Sequence, residues 1–191
     1  IKNIAHELGS GHIRVSENEA EREKFWAGRK AAFSAIGRIT PDYYCVDGTI
    51  PRGRLPEVLV RIGEMSKKYK LRVANVFHAG DGNLHPLIMY DDNKVGELER
   101  AEEFGSEILT LCVDMGGVLT GEHGVGVEKR DLMEKMFSEE DLKQQQRLKC
   151  AFDPRGLLNP GKVFPTLHRC AELGRMHVHR GNTRFPDIPR F

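Results

Sequence analysis

Two histidines, His78 and His85, flank a short glycine-rich segment of sequence HAGDGNLH. Gly, Asp and Asn tolerate the positive φ angles of tight reversals, so the segment predicts a turn between two strands. Closing that hairpin would bring the imidazoles together, because cross-strand neighbours have Cβ atoms about 5 Å apart. Two imidazoles at that separation can chelate one divalent cation. For an isolated pair, half-buried histidines beside a turn are the commoner arrangement.

A second glycine-framed segment, GEHGVG, carries Glu122 and His123. One carboxylate and two imidazoles form a suitable three-ligand set for Zn²⁺ or a similar metal, with a position left open for a substrate oxygen. The two segments together predict a metal site formed by His78, His85 and Glu122, with His123 placed as a general base. The alternative is a loop at a helix N-terminus with solvated charges. A dinucleotide loop is excluded, because G-x-x-G-x-G differs from the G-x-G-x-x-G fingerprint.

A substrate that carries a carboxylate would need a cation, and Arg29 lies near Trp26 and Phe33 on a predicted helix. A guanidinium there can form a bidentate pair with a carboxylate. An arginine on the surface, paired with Glu21 or Glu23, fits the sequence equally well.

The segments that carry these residues alternate between helix and strand patterns. Residues 43–50 are rich in strand formers, and residues 71–90 have the pattern strand, glycine turn, strand. Ser16 and Glu19 fit a capping box at the start of the first long helix. Helices are predicted over 16–37, 51–69, 94–114, 128–136 and 138–151. An antiparallel hairpin among helices predicts an α+β fold, an antiparallel sheet with helices packed on one face.

The overall composition is that of a globular protein. The chain has 191 residues and a mass of 21.6 kDa, with 39% hydrophobic residues and a formal net charge of +1. A balance this close to neutral argues against a nucleic-acid binder, and no apolar run reaches the ~20 residues of a membrane-spanning helix. The four cysteines form no CxxC pair, which is typical of reduced thiols in a cytoplasmic protein. Because the first residue is Ile1, we expect a piece of a longer protein.

Three segments in order, HAGDGNLHP, GEHGVGVEKR and FDPRGLLNPGKVFP, resemble the C-terminal domain of FAD-linked oxidases of the vanillyl-alcohol-oxidase type. FWAGRKAAFSAIGR and YYCVDGTIP narrow the resemblance to the FAD-bearing subunits of bacterial glycolate oxidases, close to D-lactate and D-2-hydroxyglutarate dehydrogenases. The resemblance implies a ferredoxin-like cap domain over residues 1–165 and an extended C-terminal tail over 166–191. The family's FAD-binding domain precedes this region, so we expect an N-terminally truncated fragment that is inactive alone.

The resemblance also implies a function: oxidation of a 2-hydroxy acid to a 2-oxo acid, with FAD and a divalent metal, zinc, as cofactors. In that family the two hairpin histidines and the acid of the GEHG loop bind the metal, and the histidine after the acid is the base. A helix arginine holds the substrate carboxylate, and the LNP segment borders the flavin. These roles fall on His78, His85, Glu122, His123, Arg29 and Asn159.

One departure from the family concerns the substrate. Relatives that take a second carboxylate carry a lysine near the strand after the first helix, where this chain has Cys45. A small monocarboxylate such as glycolate or D-lactate is therefore expected. The resemblance further implies other oxidase subunits, an iron-sulfur subunit among them, with peripheral membrane association through those partners and a homo-oligomer as a further option.

Two other functions remain open from the sequence. A small metal-dependent hydrolase could use the same three ligands, and its activity on an ester or amide panel would be abolished by a chelator. A non-catalytic assembly module would keep its function when the histidines and the acid are replaced.

Overall fold

The computed structural model describes residues 1–165, which form two compact units. The first unit is Ile1–Pro41, and the second begins at Asp42. The tail expected over 166–191 lies outside the described residues.

The first unit is helical. Its helices are α1 (Lys2–Glu7), α2 (Glu19–Lys30) and α3 (Ala32–Ile36). The capping box expected at Ser16 is wrong: Asn18 is the N-cap of α2, and its side chain accepts a hydrogen bond from the amide of Glu21. Asparagine ranks with serine as an N-cap, and Glu21 stands three residues after it. Glu21 accepts in turn from the amide of Glu17, which completes the turn entering the helix.

The second unit is built on a four-stranded antiparallel sheet. Its strands are β1 (Asp42–Cys45), β2 (Gly48–Thr49), β3 (Val73–His78) and β4 (Asn83–Tyr90). Strand β4 is central: β3 pairs along one side of it, and β1 and β2 pair along the other. The predicted hairpin is therefore present, and the α+β class is confirmed.

The strand expected over residues 43–50 is split by a break at Val46 and Asp47. Opposite the break lies Pro86, whose carbonyl accepts from the amide of Val46. Proline has no N–H with which to complete this ladder pair, so the pairing is interrupted there. The freed carbonyl of Val46 instead faces the thiol of Cys45 at 3.8 Å. The break leaves Asp47 between the two short strands.

Helices α4 (Leu55–Tyr69) and α5 (Glu97–Asp114) pack against the sheet and against each other. Helix α4 buries Val58, Ile62 and Met65, which lie at helical spacing on one face. Leu84 and Ile88 of β4 belong to the same core. Because side chains alternate along a strand, His85 points to the opposite face of the sheet from Leu84.

The chain continues through a 3₁₀ turn (Arg130–Leu132), α6 (Met133–Met136) and α7 (Glu139–Phe152). Helix α7 begins with a capping box, in which the side chains of Ser138 and Asp141 each accept a hydrogen bond from the other residue's amide. Within residues 1–165, no helix combines the length and apolar character needed to cross a bilayer. Cys45 and Cys112 are free thiols, as the sequence predicted for these positions.

Candidate metal centre

The two histidines of the hairpin meet on one face of the sheet. His78 pairs with Asn83 across the strands, and Val76 pairs with His85. His78 and His85 are thus diagonal neighbours rather than directly opposed. Their ring centroids lie 5.4 Å apart with the planes nearly perpendicular, at 86°. Side chains as long as histidine can still meet across a diagonal. The two imidazoles therefore lie close together, as expected, although they are not directly opposite each other.

Glu122 reaches both imidazoles from the glycine loop. Its Oε1 lies 3.6 Å from His78 Nε2, and its Oε2 lies 3.7 Å from His85 Nε2. One ligand atom from each of the three residues can be chosen so that all lie within 4.8 Å of one another. The structure therefore brings together His78, His85 and Glu122, the three predicted metal ligands.

This spacing suits a small divalent cation. Nitrogen and oxygen ligands about 2.1 Å from a tetrahedral zinc lie about 3.4 Å from one another. The two observed contacts, 3.6 and 3.7 Å, exceed that separation by a few tenths of an ångström. The donor set, two imidazoles and one carboxylate, is also that of catalytic zinc sites that keep an open position. The residues present fit the metal that the sequence suggests.

His85 is the buried member of the three. Its side chain is 6% exposed, against 45% for His78 and 56% for Glu122. Burial lowers the pKa of His85, although the carboxylates of Asp47 and Glu122 oppose that shift. A lowered pKa keeps the ring neutral near pH 7, which is the state that binds a metal. Nδ1 of His85 is also buried without a partner among the described residues.

Asn83 lies between the hairpin and the glycine loop. Its Nδ2 is 3.4 Å from His85 Nε2, and its Oδ1 is buried without a hydrogen-bond partner in the described part of the chain. A Cβ at Gly121 would lie 2.3 Å from Asn83 Oδ1. Only glycine at position 121 permits this close approach of the loop to the strand.

Asp47, which the sequence analysis did not identify, holds the backbone of the same loop. It is fully buried. Its Oδ2 accepts from the Thr120 hydroxyl at 2.7 Å and from the amides of Gly121, Glu122 and His123 at 3.1, 3.2 and 2.9 Å. The available signal was an acid directly before a glycine in a strand-rich segment, but such an acid more often marks a turn.

Lys129 neutralises Asp47. Its Nζ lies 2.9 Å from Asp47 Oδ2 and also donates to the carbonyl of Asp47 and to Thr120 Oγ1. Burial alone would raise the pKa of Asp47, but hydrogen bonds from Thr120, His123 and Lys129 hold it well below its usual range. Asp47 also has an oxygen near His85 and His123. With an ammonium group bound to the same carboxylate, this second grouping is a poor cation site.

The ring of His123 stacks on that of His85, with centroids 5.3 Å apart and planes 24° from parallel. His123 is exposed, as are Gly121 and Glu122. An exposed imidazole beside the three ligands can take up a proton from a molecule bound there.

The segment expected to border the flavin lies next to the glycine loop. The amide of Val163 donates to the carbonyl of Gly126 at 2.8 Å, and Arg130 donates to the carbonyl of Gly161 at 3.0 Å. Asn159 is exposed and has a left-handed backbone conformation, φ 46°. The two segments thus form one continuous, largely exposed surface.

Arg29, the predicted carboxylate-binding residue, lies on α2 of the first unit and is half-buried. Glu21, one of its alternative partners, pairs with Arg14 instead. The role of Arg29 toward a substrate stays a prediction.

Comparison with known proteins gives the family. The model described as "FAD linked oxidases, C-terminal domain" matches residues 1–163. The chain belongs to this family. Over all 191 residues it is 57% identical to the glycolate oxidase subunit GlcD of Escherichia coli (strain K12), covering 38% of that protein.

Two relatives of lower sequence identity are a second glycolate oxidase subunit and a D-lactate dehydrogenase. GlcD of Bacillus subtilis (strain 168) is 37% identical over 152 residues, 80% of this chain and 32% of that protein. The mitochondrial D-lactate dehydrogenase [cytochrome] of Arabidopsis thaliana is 34% identical over 164 residues, 85% of this chain and 29% of that protein. The chain thus spans well under half the length of the curated relatives it matches.

Proposed function

We propose that this chain is the substrate and metal domain of an FAD-dependent 2-hydroxy-acid oxidoreductase, which oxidises glycolate or D-lactate to the 2-oxo acid. The observation that carries the proposal is the convergence of His78, His85 and Glu122 beside His123, on an exposed surface. The relatives, named as glycolate oxidase subunits and D-lactate dehydrogenases, support the choice of substrate class.

In the proposed reaction the three ligands would hold a divalent cation, zinc. When bound, it would polarise the substrate hydroxyl and lower the pKa of that group. FAD, bound mainly by a domain outside these residues, supplies the acceptor for the hydride from C2.

The remaining steps belong to side chains of this chain. His123 accepts the hydroxyl proton at a ring nitrogen, which requires a neutral imidazole. Arg29 holds the substrate carboxylate through a bidentate pair, and Asn159 contributes to the flavin side of the site. Residues 1–165 form the domain that carries these groups, and 166–191 form a tail.

The preference for a monocarboxylate rests on Cys45. It is half-buried on β1, and burial, together with the carboxylate of Asp47, raises the pKa of its thiol to about 11. A neutral thiol cannot balance a second carboxylate as a lysine would. The substrate is therefore a small acid with one carboxylate.

We also propose that the complete enzyme works with other subunits of an oxidase complex in the cytoplasm, an iron-sulfur subunit among them. The relatives named as glycolate oxidase subunits support an assembly. An association with the membrane would run through those partners.

The test uses the complete flavoenzyme. We expect Glu122→Ala and His78→Ala to lose bound zinc and to lower glycolate turnover by about 10²-fold or more, while flavin content is unchanged, because removing a ligand opens the site. Glu103→Ala, at an exposed acid on α5, is the matched control and should alter neither. Full activity in both ligand variants would contradict the proposal and favour a non-catalytic module.

A further inference from the structure

The two exposed functional side chains of the glycine loop are positioned through their backbone. Glu122 and His123 are exposed, yet their amides donate to the fully buried carboxylate of Asp47. The amide of Gly121 and the hydroxyl of Thr120 donate to the same carboxylate. Three consecutive amides around one anion leave the loop little conformational freedom, because all must point inward at once.

The loop is fixed from a second side by contact with the hairpin. Gly121 lies against the side chain of Asn83, which is paired across the strands with His78. Just before the loop, Val118 forms an antiparallel bridge with Thr49 of β2. Asp47 stands two residues before Thr49, at the break between β1 and β2. The strand break thus places the anchor beside the strand that carries His85.

Lys129 offsets the energetic cost of burying the carboxylate of Asp47. It is 1% exposed, and its ammonium group is 2.9 Å from Asp47 Oδ2. A buried carboxylate is destabilising unless its charge is paired and its lone pairs are hydrogen-bonded. The hydrogen bonds of Lys129 run to Asp47 and Thr120. Lys129 therefore balances the charge, while Asp47 holds the loop amides.

We propose that Asp47 is a positioning residue for Glu122 and His123: its carboxylate sets the loop conformation that brings the ligand and the proton acceptor to the hairpin histidines. The inference rests on the proposed function, because it gives Glu122 and His123 the roles assigned there. It also assigns different roles to the two residues of the buried ion pair: Asp47 sets the loop conformation, and Lys129 balances the charge of Asp47.

The pair itself supplies the matched control. Asp47→Asn and Lys129→Met each break the same buried ion pair, so both should lower the melting temperature. Only Asp47→Asn also weakens the bonds to the loop, since charge-assisted hydrogen bonds are roughly twice as strong as neutral ones. In the Lys129→Met variant the carboxylate keeps all four loop donors.

The experiment measures zinc affinity of the complete flavoenzyme after chelator treatment, by competition with a chromophoric chelator well below the melting temperature. We expect Asp47→Asn to raise the zinc Kd about 10- to 100-fold, the usual effect of losing a residue that orients a ligand, and Lys129→Met to raise it less than about 3-fold. At saturating zinc, Asp47→Asn should still show a lowered kcat because His123 is displaced too. Equal zinc Kd values in the two variants would show a purely structural role and overturn the inference.

A second substitution decides the matter if Asp47→Asn does not fold. Gly121→Ala leaves the ion pair intact but places a Cβ 2.3 Å from Asn83 Oδ1, so the loop or the Asn83 side chain beside His85 must move. We expect this variant to have a raised zinc Kd as well, and a zinc Kd equal to that of the wild type would overturn the inference. Glu122→Ala separates the two hypotheses: if it keeps zinc, the proposed function fails, and if it alone loses zinc, only the positioning role fails.

Discussion

At the scale of single residues, the two stacked histidines, His85 and His123, differ in environment and are suited to different roles. His85 is buried beside Glu122, and burial lowers its pKa, whereas His123 is exposed on the loop. A buried neutral ring suits a metal ligand, and an exposed ring with access to the bound substrate suits a proton acceptor. The geometry thus supports the proposed assignment of His123 as the base.

We expect His123→Ala in the complete enzyme to lower kcat by about 10²-fold or more, the usual effect of removing a positioned base, with little change in zinc content. His123→Gln should lose as much, because an amide forms hydrogen bonds but accepts no proton at neutral pH. Steady-state kinetics and metal analysis on the same samples make the measurement. Loss of zinc with kcat per bound zinc unchanged would identify His123 as a ligand instead.

At the scale of secondary-structure elements, the hairpin turn sets the distance between the two histidines. Gly82 has φ +77°, and its carbonyl accepts from the amide of Ile50. A Cβ at this position would lie 2.0 Å from the carbonyl oxygen of Ile50. The turn therefore depends on glycine both for its backbone conformation and for its contact with the segment after β2.

We expect Gly82→Ala to lower the free energy of unfolding by at least about 1–2 kcal/mol, the cost of a left-handed conformation for an L-residue alone. Displacement of His78 should weaken zinc binding in the same variant. Gly80→Ala is the control within the turn, because a Cβ there meets nothing within 4 Å. Urea unfolding and zinc titration of both variants test this, and equal behaviour of the two would contradict it.

At the scale of the whole molecule, the candidate site opens onto a surface that its own unit leaves uncovered. Residues 121–124 and 157–160 are exposed, and the bond from Val163 to Gly126 joins their segments. Leu157 and Leu158 add apolar area, at 48% and 60% exposure. Exposed apolar patches of this kind mark interaction surfaces, and the family match makes a flavin-binding domain the expected partner.

The 191-residue chain expressed alone should therefore show neither flavin absorbance nor glycolate oxidation, and the proposed complete enzyme should show both. Dye-coupled turnover and an absorbance spectrum of each preparation make the comparison. Turnover by the chain alone would contradict the division of the enzyme into a flavin domain and this domain. Chelator-sensitive hydrolysis of esters by the chain alone would instead favour the hydrolase alternative.

The features that could be predicted from the sequence depend on short-range chemistry. The hairpin follows from the turn residues between His78 and Asn83, and the cap of α7 follows from Ser138 and Asp141. Such signals act within a few residues, so a linear reading captures them. Glycines on both sides of Glu122 and His123 likewise predicted that this loop carries functional side chains.

Only the tertiary structure decided how that loop is held. Asp47 and Lys129 are 82 positions apart in the chain, and each resembles an ordinary surface charge in its local sequence. Their burial depends on the break that Pro86 imposes on the neighbouring strand and on the return of the chain after α5. The diagonal register of His78 and His85 was equally hidden, because turn residues predict that two strands meet but not which side chains face each other.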